Sequence, residues 1–539
     1  MSSQFQPDSK LTRFAGSRAF KGGAFLLAVL LLFFFWAQNY NKLGNFYDYS
    51  IMTAAAGNLA AGLRPYRDFA SVLQPLSLWA ARGSELLFGQ RYLALAYGNL
   101  LLSIALFLLI LWYTRAAVSF YLALLIALAT TVSSTLQHGI VWYNSIGLVI
   151  LTAITLKGAA MVRRRSLSAA GALAISFLLI LGGMNKVNFH VLDLGVVFFF
   201  GLVLWVHGGP ISRGKAAAFF VALAACAVAP VIIETLWTHT TVSAWVRNIL
   251  LGPGGRALQL RLIAKPGFYL TAPTSYYIGA VQPAVVGFGL VAYALLLASA
   301  IRASGREGLK ACFVSLRSPL LLAGAAVAVF FGVTCVLVST NKEIQTLTGS
   351  YLIIGAAAIG MICAPHLGDG WLRPLRGVCT GLAVYFLVFG GLCCVRHVRL
   401  SFLDPARFDR NPPGADQLPP YLHGVQLSEV SAARLAAVAD AVRQDHSARP
   451  PCWGPGLGLM SRIYGGATGP AIPLWYHIGV SVYSSSAPAL IAEIERSGCR
   501  LVIADPVWIV HFPAAVRQHL ETNWAEEKSP LLVVFKKRP

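Results

Sequence analysis

Residues 22–50 read GGAFLLAVLLLFFFWAQNYNKLGNFYDYS. The first half of this stretch is an apolar run long enough to cross the hydrocarbon core of a bilayer, which takes about 20 residues. Lys10, Arg13, Arg18 and Lys21 precede the run, and no small-residue cleavage site follows Trp36. We therefore expect an uncleaved membrane anchor rather than a signal peptide that is removed.

The composition of the whole chain agrees with a membrane protein. Of its 539 residues 57% are hydrophobic and 12% are charged, whereas soluble domains carry roughly 25% charged residues. The net charge is +22, but most Lys and Arg residues fall between apolar runs, where they set orientation and meet anionic lipid. We expect membrane lipids, and not nucleic acid, as the partners of these cations.

Apolar runs of suitable length predict about eleven transmembrane helices. The predicted spans are 22–40, 92–112, 117–133, 145–161, 169–184, 190–206, 216–237, 279–301, 318–338, 350–364 and 377–395.

Loop charge predicts the orientation, because cytoplasmic loops of membrane proteins are rich in Lys and Arg. Every second loop carries them, including Arg115, Lys157 with Arg163–Arg165, and Arg302 to Arg317, while loop 133–144 has none. The amino terminus, residues 1–21, is therefore expected in the cytoplasm of a bacterial cell. An odd number of crossings then puts residues 396–539 outside the plasma (inner) membrane, in the periplasm or cell-wall space.

Two outer loops within the transmembrane region 22–395 are long. Residues 41–91 contain two amphipathic stretches, Tyr49–Ala61 and Val72–Phe88, that are expected to lie on the membrane surface. Residues 238–278 carry Arg247, Arg256, Arg261 and Lys265 without an acidic residue. Their partner is either an anionic ligand or the lipid head groups.

Residues 396–539 predict a small soluble α/β domain. Leu435, Val438 and Val442 mark a helix, as do Leu490, Ile491 and Ile494. The runs 501–503 and 531–535 predict buried strands. Cys452 and Cys499 are the two cysteines of this region, and outside the cytoplasm they are candidates for a disulfide bond.

The polar residues of the predicted spans lie at one end of them. Ionisable groups in spans are costly, so they are functional candidates. The polar set, which falls at or near the outer ends, is Asp48, Asn99, Asn144, Lys186, His190, Asp193 and Glu234. A transporter needs polar groups near the midplane, so this pattern favours a site that is open to the outside.

The segment after the first span resembles a known superfamily. It reads Asn45-Phe-Tyr-Asp-Tyr-Ser50, then Gly62-Leu-Arg-Pro-Tyr-Arg-Asp-Phe69, then Gln74-Pro-Leu76. This is similar to the first outer loop of GT-C membrane glycosyltransferases, such as protein mannosyltransferases and the lipid A aminoarabinose transferase. Tyr49 replaces the second acid of several members, and Gln74 stands where His or Gly is common, so the subfamily and the sugar stay open.

The resemblance implies an inverting transfer from a polyprenyl-phosphate-linked sugar donor to a glycan, lipid or protein acceptor. Asp48 takes the position of the superfamily's catalytic acid, with Asp68 as a second acid or acceptor ligand. A carboxylate assists deprotonation of an attacking hydroxyl, and cations stabilise a departing phosphate. Candidates for the phosphate are Lys186, Arg247, Arg256 and Arg261; candidates for sugar or acceptor are Tyr66, Gln74, Trp142, Tyr143, Asn144, His190 and Tyr276.

Structural roles are the alternatives at each position. Asp48 and Asp68 are also placed to cap the two loop helices, and Lys186 to reach the interface from a span. His190 and Asp193 are spaced to bond each other on one helix face. The superfamily allows a divalent metal, but the sequence presents no ligand cluster for one, so no cofactor is assigned.

Two other functions compete with sugar transfer of this kind. One is a lipid-linked glycan polymerase or ligase, which would depend on later-loop arginines such as Arg256 rather than on Asp48. The other is a non-enzymatic lipid or sugar transporter, against which the apolar inner halves of the spans argue.

Overall fold

A computed structural model describes residues 17–43, 46–47, 49–164, 168–207, 213–251, 369–395, 418–445, 449–478 and 481–538, with single residues between 354 and 361. Within these ranges the chain is mostly helical, with a small sheet near its carboxyl end. The predicted spans 279–301 and 318–338 lie outside the described residues, as does most of 350–364. The number of eleven spans therefore stays a prediction.

The helices of the first half follow the apolar runs. They are α1 (Arg18–Ala37), α2 (Ser50–Ala60), α3 (Pro75–Phe88), α4 (Tyr92–Thr114), α5 (Phe120–Val132), α6 (Tyr143–Arg164), α7 (Ala169–Asn185), α8 (Val187–His207), α9 (Arg213–Thr238) and α10 (Val242–Val246), and α11 (Asp369–Val395) follows much later. A π-helical turn, Arg247–Leu251, continues α10. Serine N-caps start α1, α5 and α7, at Ser17, Ser119 and Ser168.

Within the described part, four helices are long and apolar enough to cross a membrane: α1, α4, α6, and α9 from Ala218 to Thr238. Outward-facing apolar side chains such as Leu27, Phe177 and Leu236 are more than half exposed. Such large apolar surfaces are unfavourable in water and are expected where lipid is the solvent. The chain is accordingly a helical membrane protein.

Helix α6 is the most thoroughly buried of these four helices and packs against α4, α7 and α8. Helix α5 packs against α1, α4 and α11. Gly147 and Gly158 allow α6 to approach α8 closely. They face the rings of Phe189 and Phe200, which a larger residue at either position would overlap.

The two loop helices have different surroundings. Helix α2 is buried on nearly every side, so the expectation that it lies on the membrane surface is wrong. The C-terminal part covers it, and the Leu459 N–H donates to Ser50 Oγ at 3.1 Å. Helix α3 starts with Pro75, whose missing N–H suits the first turn, and it exposes Leu86 and Leu87.

Residues 418–538 contain a four-stranded sheet in the order β3-β4-β6-β5. Its strands are β3 (Cys452–Trp453), β4 (Leu501–Ala504), β5 (Trp524–Lys528) and β6 (Val533–Lys537). β3 and β4 are parallel, and the other neighbours are antiparallel. Helices α12 (Glu429–Gln444), α13 (Met460–Tyr464), α14 (Ala487–Ser497) and α15 (Ala514–Asn523) accompany the sheet.

The C-terminal part lies at the same end of the helix bundle as the loop after the first span. β1 (Lys42–Leu43), which directly follows α1, pairs in parallel with β2 (Gln426–Leu427). Glu85 of α3, whose side chain is fully buried, pairs with Arg462 of α13 through bonds of 3.2 and 3.3 Å. Arg82 of α3 also lies 3.3 Å from Glu85, so this buried carboxylate joins two guanidinium groups and links the C-terminal part to α3.

The disulfide between Cys452 and Cys499 is formed, which confirms the sequence-based expectation. It joins β3 to the end of α14 across a sequence separation of 47 residues. Both cysteines are buried. Disulfides persist in oxidising compartments, so the bond agrees with a C-terminal part outside the cytoplasm.

Removing this cross-link should destabilise the C-terminal part. Closing a loop of this length is worth about 2–4 kcal/mol, so we expect the Cys452→Ala/Cys499→Ala double variant to unfold at a clearly lower temperature than wild type. Cys226→Ala, which removes a buried cysteine that forms no disulfide, is the control. Free thiol labelling of Cys452 and Cys499 in unreduced, denatured wild-type protein would contradict the bond.

Candidate active site

A cavity of about 510 Å³ opens where three segments meet. We call it the large cavity. Its walls are the loop after the first span, the turn that follows α9, and residues 470–489 of the C-terminal part. The polar residues that line it are Tyr66, Ser71, Arg247, Asn248, Ser481, Tyr483, Ser485 and Ser486.

Tyr66 forms the first wall and sits in an unusual backbone conformation. Its φ is +66°, a left-handed value that costs a non-glycine residue about 1 kcal/mol or more. The N–H of Tyr66 donates to Phe69 O at 2.9 Å, and its hydroxyl donates to Leu73 O at 3.0 Å. Burial, together with the Glu234 carboxylate, raises the pKa of Tyr66 well above its ordinary value, so the hydroxyl remains a donor at neutral pH.

Asp68 closes the turn that holds Tyr66. One carboxylate oxygen accepts the Arg64 N–H at 2.8 Å, and the other lies 3.4 Å from Arg67 Nε. The N-cap of α3 is Gln74, so Asp68 does not cap that helix. Asp68 is not among the described residues that line the large cavity, and its role as a second acid stays a prediction.

The second wall is held by a buried carboxylate. Glu234 of α9 accepts the Trp245 indole N–H at 2.5 Å, and both side chains are buried. Three residues close to Trp245 in the chain line the large cavity: Ala244, Arg247 and Asn248. Arg247 is exposed, and no Asp or Glu lies among the described lining residues, so the charged group that this wall presents to the cavity is a guanidinium.

The third wall comes from the C-terminal part and pairs directly with the first loop. The Ala70 N–H donates to Ile472 O at 3.1 Å, and the Leu474 N–H donates to Ala70 O at 3.1 Å. Further along, Ser481 accepts the His477 N–H at 2.8 Å and donates to Trp475 O. Four hydroxyl-bearing residues, at positions 481, 483, 485 and 486, therefore line the same cavity as the loop and Arg247.

A set of stacked rings, which we call the Tyr47 stack, anchors the start of the loop. It comprises Tyr47, Trp475, His477, Trp508 and His511. Tyr47 and Trp508 are parallel within 4° at 3.8 Å, and the two imidazoles are 4.7 Å apart. Tyr47 Oη also bonds Tyr476 O at 3.0 Å and His477 Nδ1 at 2.5 Å.

A buried ion pair supports the stack from behind. Arg434 of α12 lies 2.6 Å from Asp505, which follows β4. The other oxygen of Asp505 accepts the Val507 N–H at 2.9 Å. This fixes the turn that carries Trp508 and His511 onto Tyr47.

Several predicted site residues lie outside the described residues: Asp48, Arg256, Arg261 and Tyr276. Both chain neighbours of Asp48, Tyr47 and Tyr49, are described and buried. The N-cap of α2 is Tyr49, without a side-chain capping bond. The catalytic role of Asp48 accordingly stays a prediction.

Five other predicted residues form or adjoin one buried polar network at the ends of α3, α6 and α7. Lys186 Nζ donates to Asn144 Oδ1 at 3.1 Å and lies 4.5 Å from the centre of the Tyr143 ring. The side-chain amide of Asn185 donates to Tyr143 O at 3.0 Å, and its backbone carbonyl accepts the Ser77 hydroxyl at 2.7 Å. Gln74 donates to Gly183 O at 2.7 Å, and Trp142 packs on Tyr143 at 4.6 Å. This network joins three helices and does not line the large cavity.

The expectation that His190 and Asp193 bond each other is wrong. The ring nitrogens of His190 lie 3.1 and 3.3 Å from Leu179 O and Ala227 O, on the two neighbouring helices. Asp193 is fully buried, and neither of its oxygens has a hydrogen-bond partner among the residues that the structure describes. Backbone carbonyls in a tightly packed bundle are closer to His190 than the side chain one turn along its own helix.

No metal site emerges from the part of the chain that the structure describes, because no group of three His, Cys, Asp or Glu side chains comes together there. The residues that sequence reasoning missed are Ser481, Trp508 and His511. Tyr47 and His477 are 430 positions apart in the chain, so no local pattern announces their contact.

Solved structures similar to this chain include two of one protein. No protein-family model matches the chain, and no curated protein sequence matches it. The chain is similar to the crystal structure of ArnT from Cupriavidus metallidurans in the apo state, with 11% identity, a TM-score of 0.45, and coverage of 95% of this chain and 98% of that chain. It is also similar to ArnT from the same organism bound to undecaprenyl phosphate, with 13% identity, a TM-score of 0.35, and coverage of 95% and 97%. Both TM-scores lie below 0.5, so this likeness carries no conclusion about the function of the chain.

The Tyr47 stack should make stability depend on pH. Burial, with His511 nearby, lowers the pKa of His477 from 6.5 to about 4, and burial also lowers the pKa of His511. Below pH 6.5 the unfolded chain binds protons that the folded stack does not, so stability falls as the pH drops from 6.5 towards 4. We expect the thermal unfolding midpoint to fall over this range, and to fall less in His477→Gln.

His423→Gln is the matched control, because His423 is exposed and lies outside the stack. Its midpoint should follow the wild-type pH profile. A His477→Gln profile with the same slope as wild type would contradict the assignment.

Proposed function

We propose that this chain is an inverting glycosyltransferase of the GT-C type. In this proposal it moves a sugar from a polyprenyl-phosphate donor to a cell-envelope acceptor on the outer face of a bacterial plasma membrane. The observation that carries the proposal is the large cavity, where the loop after the first span, a guanidinium group and a hydroxyl-bearing wall meet. Such a cavity suits a phosphate-linked sugar that enters from lipid and an acceptor that enters from water.

Asp48 is proposed as the carboxylate that accepts the proton of the attacking hydroxyl. Its place in the chain supports this, because Ile51 and Tyr66 of the same loop line the large cavity. The Tyr47 stack holds the residue before it. A positioned base typically contributes about 10²–10⁴-fold to the rate.

Arg247 is proposed to bind the phosphate of the donor. It lines the large cavity and has no lining carboxylate beside it among the described residues, and a guanidinium can grip a phosphate through two parallel bonds. Arg256 and Arg261 follow on the same loop and stay further candidates. Lys186 is less suited, because Asn144 and Tyr143 already engage its ammonium group.

The proposed reaction is a single displacement. The acceptor oxygen forms a bond to the anomeric carbon while the bond from that carbon to the phosphate oxygen breaks. The acceptor proton passes to Asp48, and polyprenyl phosphate leaves as an anion beside Arg247. One displacement inverts the anomeric configuration.

The wider topology belongs to the same proposal. Eleven crossings with a cytoplasmic amino terminus would place residues 396–539 outside as a soluble α/β domain. The location of the first loop and the C-terminal part at one end of the bundle supports it. In this arrangement residues 481–486 would contact the acceptor, and the prenyl tail would lie between apolar helices.

The test compares two carboxylate-to-amide variants in the same loop. Purified protein is given a lipid-linked sugar and an envelope acceptor extract, and transfer is followed by mass spectrometry. Asp48→Asn should lose activity by about 100-fold or more, since an amide cannot accept the proton. Asp68→Asn should stay within a few-fold of wild type, because its amide oxygen can still accept the Arg64 N–H.

Full transfer activity in a folded Asp48→Asn variant would refute the assigned role. Equal losses in the two variants would instead make Asp68 part of the chemistry, as the sequence alone allowed.

A further inference from the structure

A second cavity, of about 290 Å³, lies beside the outer-loop turn that ends α9. We call it the small cavity. Its lining includes Leu59, Arg64, Pro75, Trp79, Trp237 and His239. It adjoins the same loop as the large cavity, but Arg64 and Pro65 line the small cavity whereas Tyr66 lines the large one. Neither the proposed chemistry nor the buried polar network uses it.

The small cavity lies where the apolar surface of α9 ends. Ile232 and Leu236, in the last turns of this helix, are more than half exposed, as expected of side chains that contact acyl chains. The next residue, Trp237, stacks on Trp79 of α3 at 5.6 Å and 16°, and both indoles are partly exposed. Paired indoles at the end of a span mark the level of the lipid head groups.

The charge of the small cavity selects an anion. Arg64 and His239 line it, and no Asp or Glu is among the described lining residues. Asp68, the nearest acid along the loop, accepts the backbone N–H of Arg64 and pairs with Arg67. The carboxylate of Glu234 accepts the indole N–H of Trp245, and Glu234 is not among the described residues that line the small cavity.

The backbone at this corner is also unusual. His239 has a φ of +53°, a strained conformation for a residue with a side chain. Its N–H donates to Leu236 O at 3.4 Å, and the Thr240 N–H donates to Thr235 O at 3.0 Å. These bonds close the turn, and His239 is among the residues that line the small cavity.

We propose that the small cavity binds the head group of an anionic phospholipid. The phosphate would lie between Arg64 and His239, and the acyl chains would continue along the exposed face of α9. Trp79 and Trp237 would contact the glycerol region. Bound lipid would hold the loop that carries Tyr66 against the bilayer. The lining of this site differs from that of the proposed donor site, so lipid binding here does not depend on the proposed activity.

The test measures lipid binding without any enzymatic assay. The protein is reconstituted in phosphatidylcholine nanodiscs, phosphatidylglycerol is added stepwise, and bound lipid is counted by native mass spectrometry. Wild type should retain at least one phosphatidylglycerol, and Arg64→Gln should weaken that binding about five-fold or more, the typical loss of one lipid-facing cation. His239→Asn, which suits a left-handed backbone, should weaken it in the same direction.

Arg67→Gln is the matched control. Arg67 carries the same charge three positions away, pairs with Asp68 and does not line the small cavity, so its loss should leave phosphatidylglycerol binding unchanged. Equal weakening by Arg64→Gln and Arg67→Gln would overturn the proposal in favour of diffuse electrostatic attraction.

Two competitors distinguish the source of the phosphate. Displacement of phosphatidylglycerol by millimolar inorganic phosphate would overturn the proposal in favour of a site for soluble anions. If Arg64→Gln weakened the binding of undecaprenyl phosphate but not that of phosphatidylglycerol, the small cavity would belong to the donor and the proposal would fail. Unchanged binding of undecaprenyl phosphate alongside weakened phosphatidylglycerol binding is the expected result.

Discussion

The contact on which the site depends is the attachment of the C-terminal part to the loop after the first span. Two backbone hydrogen bonds at Ala70 and the Tyr47 stack make this contact, and the buried pair Glu85–Arg462 secures it at a third point. An aromatic pair contributes about 0.5–1.5 kcal/mol beyond its buried area. Arg462 adds charge-assisted bonds to Glu85, a carboxylate that Arg82 of the same helix also approaches to 3.3 Å. Partial separation is therefore unfavourable, and the large cavity keeps its third wall.

A second constraint is the satisfaction of polar groups at one end of the helix bundle. The Ser77 hydroxyl donates to Asn185 O, the Gln74 amide N–H to Gly183 O, and the Asn99 amide N–H to Thr135 O, so these buried donors find protein acceptors where water is excluded. This explains why several polar residues that the sequence predicts as ligand-binding form hydrogen bonds between helices in the structure. The residues that line the large cavity come mainly from loops and from the C-terminal part.

Much of the fold follows from local pattern. Hydropathy predicts spans at 92–112 and 169–184, close to the helices Tyr92–Thr114 and Ala169–Asn185, because lipid burial requires long apolar runs. The strand at Leu501–Ala504 and the bond between Cys452 and Cys499 also agree with prediction. The burial of α2 and the partners of His190 were not predictable, because they depend on segments that are distant in the chain. For the site, sequence indicated Tyr66 and Arg247, whereas the wall at 481–486 required the three-dimensional contact.

Access to the large cavity can be measured directly with a cysteine at its exposed rim. Ser485→Cys should react with a membrane-impermeant maleimide on intact cells or right-side-out vesicles, and a polyprenyl-phosphate-linked sugar should slow the reaction. Ser529→Cys, exposed in the C-terminal part but away from the cavity, should react from the same side without protection. Labelling of Ser485→Cys only after the membrane is opened, or at a rate that the donor leaves unchanged, would contradict an outward-facing cavity that binds the donor.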